Sequence, residues 1–353
     1  MAKELDELLK QPSEWLRGVG PMSEIVMSSR IRLARNIEKL SFPTRATKAS
    51  SREVLGLVRD GVSRSATLTS CLFFEMGELE EVDRQFLVER HLVSREHIVQ
   101  PDAKAVAIGQ GEVISVMINE EDHLRIQVMQ SGLNLKDGWS LIDTLDDELS
   151  ETLPYAYSSD WGYLTCCPTN TGTGMRASVM VHLPSLVIAK QINKVLHTIT
   201  RLGLTARGLY GEGTEASGNF FQISNQVALG RSEEEIIENI ERILNEVIHQ
   251  EQAARESLMT NNRVQLEDRI WRAFGVLKHA QTMSSTEALD LLSAVRLGVD
   301  LGLTNGLTRT TVNELFLFSQ PAHLQKLEGK TLTAKERDTK RAQLIRSRLG
   351  GQG

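Results

Sequence analysis

Arginine recurs in this chain where apolar strands or glycine-rich turns would hold it. Arg30 and Arg32 lie in SSRIRLARN, Arg125 in HLRIQVM, Arg176 in CPTNTGTGMRASV and Arg207 in ARGLYGEG. A structural arginine usually has an acid within a few residues, and Arg30, Arg32 and Arg176 have none. Forks converging from several elements suit a polyphosphate, because charge-assisted bidentate bonds are stronger than neutral ones. Singly, each arginine is better read as a surface ion pair; together with a glycine loop, nucleotide binding accounts for them better. That loop is CPTNTGTGMRASV, where Gly172 and Gly174 permit left-handed backbone and let successive N–H groups converge on an anion. No Gly-Lys-Ser or Gly-Lys-Thr follows, so it is not a Walker loop, and a plain β-turn is the competing reading.

Two acids could complete a reaction centre. Glu120, Glu121 and Asp122 fall at a turn, where acids by default face solvent. Glu212, in a glycine-bounded loop, could supply a second carboxylate. Two carboxylates can grip a guanidinium, orient it and accept its proton. A guanidinium with a pKa above about 12 is a poor nucleophile until a base removes that proton. Cys167, beside this positive charge, is either a thiolate or an inert buried thiol.

The elements that would position these groups follow from apolar spacing. Residues 25–33 read as a strand with Arg30 and Arg32 on one face and Ile31 and Leu33 on the other. Ser50 and Glu53 suggest a capping box opening a helix with Val54, Leu55 and Val58, and an amphipathic segment follows at 86–92. Residues 105–129 alternate as an antiparallel meander, with Leu124, Ile126 and Val128 inward and Arg125 and Gln127 on the opposite face. A helix is expected at 141–149, a strand at 176–183 and one helix over 185–202 ended by Gly203. Ser232 and Glu235 form a capping box before a helix with a buried isoleucine stripe, and beyond 254 only helical spacing remains. The expected domains are a lead-in at 1–20, an α+β body at 21–254 and an all-α domain at 255–353.

Composition narrows the partners. The 353 residues are 41% hydrophobic and 24% charged, with formal net charge -6, an ordinary globular balance that disfavours wholesale nucleic-acid binding. Three cysteines are too few for a disulfide framework, which favours a reducing cytoplasm. The N-terminus is charged where a signal peptide needs an apolar core, and no run of about 18 apolar residues occurs, so no membrane partner is expected.

In order and spacing, SSRIRLARN, NEEDHLRIQVM, CPTNTGTGMRASV and ARGLYGEGTEASG with ISNQVALG resemble the successive signatures of the phosphagen (guanidino) kinase family, over roughly residues 20–254. The resemblance implies an antiparallel sheet flanked by helices and Mg2+-ATP held by Arg30, Arg32, Arg125, Arg176 and Arg207. It also implies nucleotide contacts from Ser28, Ser29, Ile31 and His91, from Ala177, Ser178, Val179 and Met180, and from Gly208, Leu209, Tyr210 and Gly211. By the same correspondence Glu121 is the catalytic base, Glu212 the second guanidinium carboxylate and Cys167 the family's reactive cysteine. No side chain is assigned to a metal.

The departures concern the acceptor. Small-guanidine kinases carry a helical domain of on the order of 100 residues before the first motif, where this chain has about 20. This chain instead carries a helical domain after the body, and Gly213 replaces a usual histidine. The arrangement is similar to bacterial protein-arginine kinases, which phosphorylate arginines displayed on proteins in quality control and stress response. In that subfamily RDTKRA resembles a phosphoarginine-recognition motif, with Arg337, Asp338 and Arg341 as its polar members. The implied partners are arginine-bearing proteins, an activator, a chaperone-protease system and a second copy of the chain. The alternatives are a kinase for free arginine or another small guanidine, and an inactive nucleotide-sensing adaptor.

Overall fold

The computed structural model describes residues 2–9, 12–208, 217–304 and 306–350. In chain order its first half contains α1 (Ala2–Leu8), β1 (Val26–Arg35), α2 (Lys48–Arg64), β2 (Leu72–Glu75), α3 (Glu81–Glu89), β3 (Ala105–Ile108), β4 (Ile114–Ile118), β5 (Leu124–Ser131) and α4 (Leu135–Ser150). A small hairpin, β6 (Tyr157–Ser158) and β7 (Gly162–Tyr163), precedes β8 (Met175–His182), α5 (Pro184–Ile188), α6 (Ile192–Arg201), β9 (Leu204–Gly208) and β10 (Phe220–Asn225). The rest is helical: α7 (Glu233–Asn261), α8 (Arg263–His279), α9 (Ser285–Asp300), α10 (Arg309–Phe318), α11 (Pro321–Glu328) and α12 (Ala334–Gly350).

Eight strands form one antiparallel sheet in the order β2-β3-β4-β5-β1-β8-β10-β9. Side chains alternate across a strand, so each central strand divides its residues between two environments. Ile31, Leu33, Ile126, Val128, Val179, Val181, Phe221 and Ile223 enter one core, covered by α2, α4, α6 and α7. Each such burial contributes about 1.5–3 kcal/mol relative to exposure. The opposite face is covered only in part. Met129, Met180 and Phe220 pack with Trp15 and Leu16 beneath α8, α9, α10 and α12, while α1, α3 and α11 cover the β2–β3 end. What stays open on this face is the stretch carrying the arginines.

Buried arginines fasten the helical part to the sheet. Arg296 of α9 donates to Asn313 Oδ1 at 3.0 Å and to the carbonyls of Ser23 and Glu24, at the entry to β1. Arg90 bonds Glu112, which also accepts from Ser13 at 2.7 Å.

Several boundaries differ from the sequence expectation. Thr47 caps α2, its hydroxyl accepting the Ser50 N–H at 3.2 Å, so Ser50 lies within the first turn and the expected Ser50–Glu53 box does not form the cap. Helix α3 ends where His91 takes a left-handed conformation (φ 60°), which displaces the expected 86–92 segment toward the N-terminus. Helix α4 starts at Leu135, ahead of 141. The single helix expected at 185–202 is two, α5 and α6, separated near Lys190 (φ 58°), with neither glycine nor proline marking the break. Strands β2, β6, β7, β9 and β10 are additional. The box at Ser232 and Glu235 is present in both directions, and Ser284 caps α9.

Candidate active site

The sheet register assembles the arginines. Arg32 lies opposite Arg176 across β1 and β8, Arg30 opposite Ser178, and Gln222 of β10 opposite Arg207 of β9. With Arg125 of β5, these four arginines and Gln222 line one cavity of about 650 Å³, shared with Glu120, Glu121, Cys167, Gly208 and Ser224. Arg30 Nε donates to Ser178 Oγ at 3.3 Å and Arg176 Nη2 to Ser224 Oγ at 3.1 Å. Among the described residues, Arg32 Nε and Arg176 Nε are buried and bond nothing. Burial and the nearby cations Arg125 and Arg176 pull the Arg30 guanidinium down to about 10, and Arg32 and Arg176 are lowered for the same kinds of reason. Unpaired donors and mutually repelling cations around a cavity fit a polyanion such as the phosphates of ATP.

The acids sit at the β4–β5 turn. Arg125 joins them, donating Nη1 to Glu120 Oε1 at 2.7 Å and Nη2 to Glu121 Oε2 at 2.8 Å. Glu120 also accepts from Ser94 Oγ at 2.6 Å and from the Glu121 N–H at 2.9 Å. Burial alone would raise the Glu120 carboxyl, but Arg125 and these donors hold it below its ordinary value. Glu121 is raised, by burial against the pull of Arg125, with Asp122 and Glu120 adding to the rise. Asp122 is fully buried rather than solvent-facing. Its Oδ1 accepts from Asn36 Nδ2 and from the Cys166 N–H, both at 2.7 Å, which pins the cysteine loop to the turn bearing Glu121.

The loop itself depends on glycine. Gly172 (φ 114°) passes the Leu229 backbone so closely that a Cβ would meet Leu229 Cα at 2.9 Å, and a Cβ on Gly174 (φ 69°) would enter the Arg35 guanidinium. Arg35 bonds the Thr173 carbonyl at 2.9 Å and Asp146 at 2.7 Å, and lies 3.5 Å over the Tyr163 ring. Cys167 Sγ lies 3.0 Å from Thr169 Oγ1. Burial and Asp122 push the neighbouring Cys166 thiol up to about 11, which makes it an unreactive thiol at neutral pH.

A narrower recess continues from Arg30 between Ser28, His91, Ser178, Met180, Met129 and Gln222. Burial, with Arg30 and Arg95, lowers the His91 imidazole to about 3, so the ring is neutral, and among the described residues its Nε2 is unpartnered. The Ser29 hydroxyl is engaged by the Gly132 carbonyl and the Asn134 N–H. The side chains of Ile31, Ala177 and Val179 are buried on the core face, away from the cavity, so no side-chain contact with a nucleotide comes from them. Leu209, Tyr210, Gly211, Glu212 and Gly213 lie outside the described residues. Arg337, Asp338 and Arg341 are on α12, away from the cavity lining. Arg341 is buried, donating to the carbonyls of Ser319 at 2.8 Å and Met283 at 2.7 Å and to Asp338 at 2.6 Å. Sequence reasoning missed Ser94, Asn36, Gln222 and Ser224; the last two could have been found from the alternation of FFQISN.

Residues 33–254 match the ATP:guanido phosphotransferase, C-terminal catalytic domain, family. The chain belongs to the ATP:guanido phosphotransferases. Residues 263–352 of this phosphotransferase match the protein-arginine kinase McsB C-terminal domain. It is 49% identical over 344 residues to a protein-arginine kinase of Halothermothrix orenii, covering 98% of both chains. It is 48% identical over 349 residues to one of Desulforamulus reducens, again covering 98% of both. Among solved structures it resembles a lombricine kinase, with 27% identity and a TM-score of 0.59 over 70% of this chain and 75% of that one. A duplicated taurocyamine kinase from Schistosoma mansoni gives 28% identity and a TM-score of 0.60 over 69% of this chain and 35% of that one. The expected antiparallel sheet flanked by helices, with a helical C-terminal region, is therefore the fold of this phosphotransferase, and ATP is its phosphoryl donor. Among the described residues no helix is long and apolar enough to cross a membrane.

Proposed function

We propose that this phosphotransferase moves the γ-phosphoryl group of ATP to the guanidinium of arginine side chains in proteins. The observation that carries this is near full-length similarity, at 48–49% identity, to protein-arginine kinases, joined to the match of residues 263–352 to their C-terminal domain. Phosphates would bind across Arg30, Arg32, Arg125, Arg176 and Arg207, with the adenine beyond Arg30, on the side of the cavity toward the neutral His91. Mg2+, which would neutralise charge on the phosphates, would arrive on their oxygens; among the described residues no cluster of His, Cys, Asp and Glu is gathered for it.

Glu121 would take the proton from the attacking nitrogen, Cys167 would line the guanidinium subsite, and Glu212 would supply the second carboxylate. Phosphoryl transfer needs mainly positioning and charge neutralisation, so no covalent enzyme intermediate is required. Arg125 spans both halves of the site: its Nη2 bonds Glu121, and it lines the same cavity as the other arginines. A phosphate drawing on Arg125 would weaken its hold on Glu121 and make the base more basic once ATP is bound.

We assign Arg337 and Asp338, with the buried Arg341 behind them, to a regulatory phosphoarginine site, and the cell setting to cytoplasmic protein quality control with an activator, a chaperone-protease and a homodimeric state. Competition between free arginine and an arginine-bearing protein tests the acceptor. Preferential protein phosphorylation supports it, and equal phosphorylation at matched arginine concentrations favours a small-guanidine kinase.

A further inference from the structure

On the other side of the Glu120–Glu121 turn from the arginines lies a second cavity of about 590 Å³, and the two cavities share both glutamates as a wall. Its remaining walls are Asn119, residues 43–51, which lead into and start α2, and residues 100–104. Asn119 fixes their spacing, donating both amide hydrogens, to Ser51 O and Ala103 O at 2.8 Å each. Thr44, on the same wall, hydrogen-bonds Cys166, so the cavity abuts the cysteine loop as well as the proposed base.

The charges here are unbalanced. Lys104 is half-buried, and its ammonium donates to the carbonyls of Glu96 at 3.2 Å and Val99 at 2.7 Å. Among the described residues no carboxylate lies within ion-pair distance of it. Glu120, whose field it feels, is taken by Arg125 and Ser94. Asp102 is shared between Lys48 at 3.3 Å and Arg52 at 3.6 Å. The rim therefore carries Lys48 and Lys104 against Asp102, while the inner wall, Glu120 and Glu121, is anionic. A desolvated cation without a carboxylate is a favourable place for an incoming one.

We propose that this cavity binds the residues flanking the acceptor arginine, and that Lys104 and Lys48 receive an acidic side chain there. The arginine would reach Glu121 along the acidic wall while its neighbour pairs with the cationic rim. This rests on the reading that the acceptor is an arginine within a polypeptide.

The test uses the full chain with ATP, free arginine and two peptides, identical except that the single arginine is flanked by aspartates in one and glutamines in the other. The aspartate peptide should have a KM about fivefold lower, as expected of a partly exposed ion pair. Lys104→Gln and, separately, Lys48→Gln should bring the ratio of the two KM values toward one. Lys48 is 86% exposed, so its variant tests the idea without disturbing the fold. Equal KM values in the wild type, or an unchanged ratio in both variants, would overturn the proposal alone. Phosphorylation of free arginine with neither peptide reacting would overturn the polypeptide acceptor itself.

Discussion

Arg32 and Arg176 face each other directly across β1 and β8, with no carboxylate bonded to either guanidinium among the described residues. Like charges directly opposite on neighbouring strands oppose folding by up to about 1 kcal/mol. ATP or ADP would relieve this repulsion. Arg32→Met should therefore leave the free protein as stable as wild type or slightly more so, while abolishing the stabilisation of about 2.7 kcal/mol that ligand at 100 times its Kd supplies. Thermal melting with and without ADP reads both effects. A destabilised free variant that retains its ADP shift would assign Arg32 to the fold.

Glu121→Gln keeps the shape of the turn and removes the base. Transfer should fall by about 10²–10⁴, the usual contribution of general-base catalysis, with ADP affinity nearly unchanged. Cys167→Ala should be milder, because the thiol has no proton to take. Steady-state rates and calorimetric ADP titrations check this; a Cys167→Ala loss as complete as that of Glu121→Gln would mean direct chemistry by the thiol.

Much of this site was legible because strands alternate. SSRIRLARN places Arg30 and Arg32, and HLRIQVM places Arg125, on one face with aliphatic residues on the other. Asp122 was not legible. Three acids at a turn look solvated, and only the fold shows that the third is buried, accepting from Asn36, 86 residues away in sequence, and from the Cys166 N–H. The covering of Met129 and Met180 by helices α8, α9, α10 and α12 is likewise a long-range fact, invisible to local periodicity. The break at Lys190 lacks any Gly or Pro signal, which is why α5 and α6 read as one.

The pH profile follows from the raised Glu121 carboxyl. A base works only when deprotonated, so activity should be lost as pH falls through a pKa above that of an ordinary glutamate. Arg125 opposes the rise, and Arg125→Gln should move the acidic limb of kcat/KM to still higher pH. An acidic limb that stays in place in that variant would mean that another group sets it.

Arg341 and Arg337 separate a packing role from a binding one. Arg341→Met strands the carbonyls of Ser319 and Met283 and should cost about 3 kcal/mol, the scale of breaking a buried charged contact. The Arg337 guanidinium donates only to the Leu332 carbonyl among the described residues, at 2.9 Å. Arg337→Ala should leave melting nearly unchanged while weakening phosphoarginine binding in calorimetry. Unaltered phosphoarginine affinity would remove Arg337 from any such site.

The acceptor is the centre of the account, and mass spectrometry reads it directly. A protein substrate incubated with the enzyme and ATP, then processed without acid because the P–N bond is acid-labile, should carry phosphate on arginine side chains, and Glu121→Gln should leave none. Phosphate appearing only on free arginine, or on no arginine at all with active enzyme, would contradict the account.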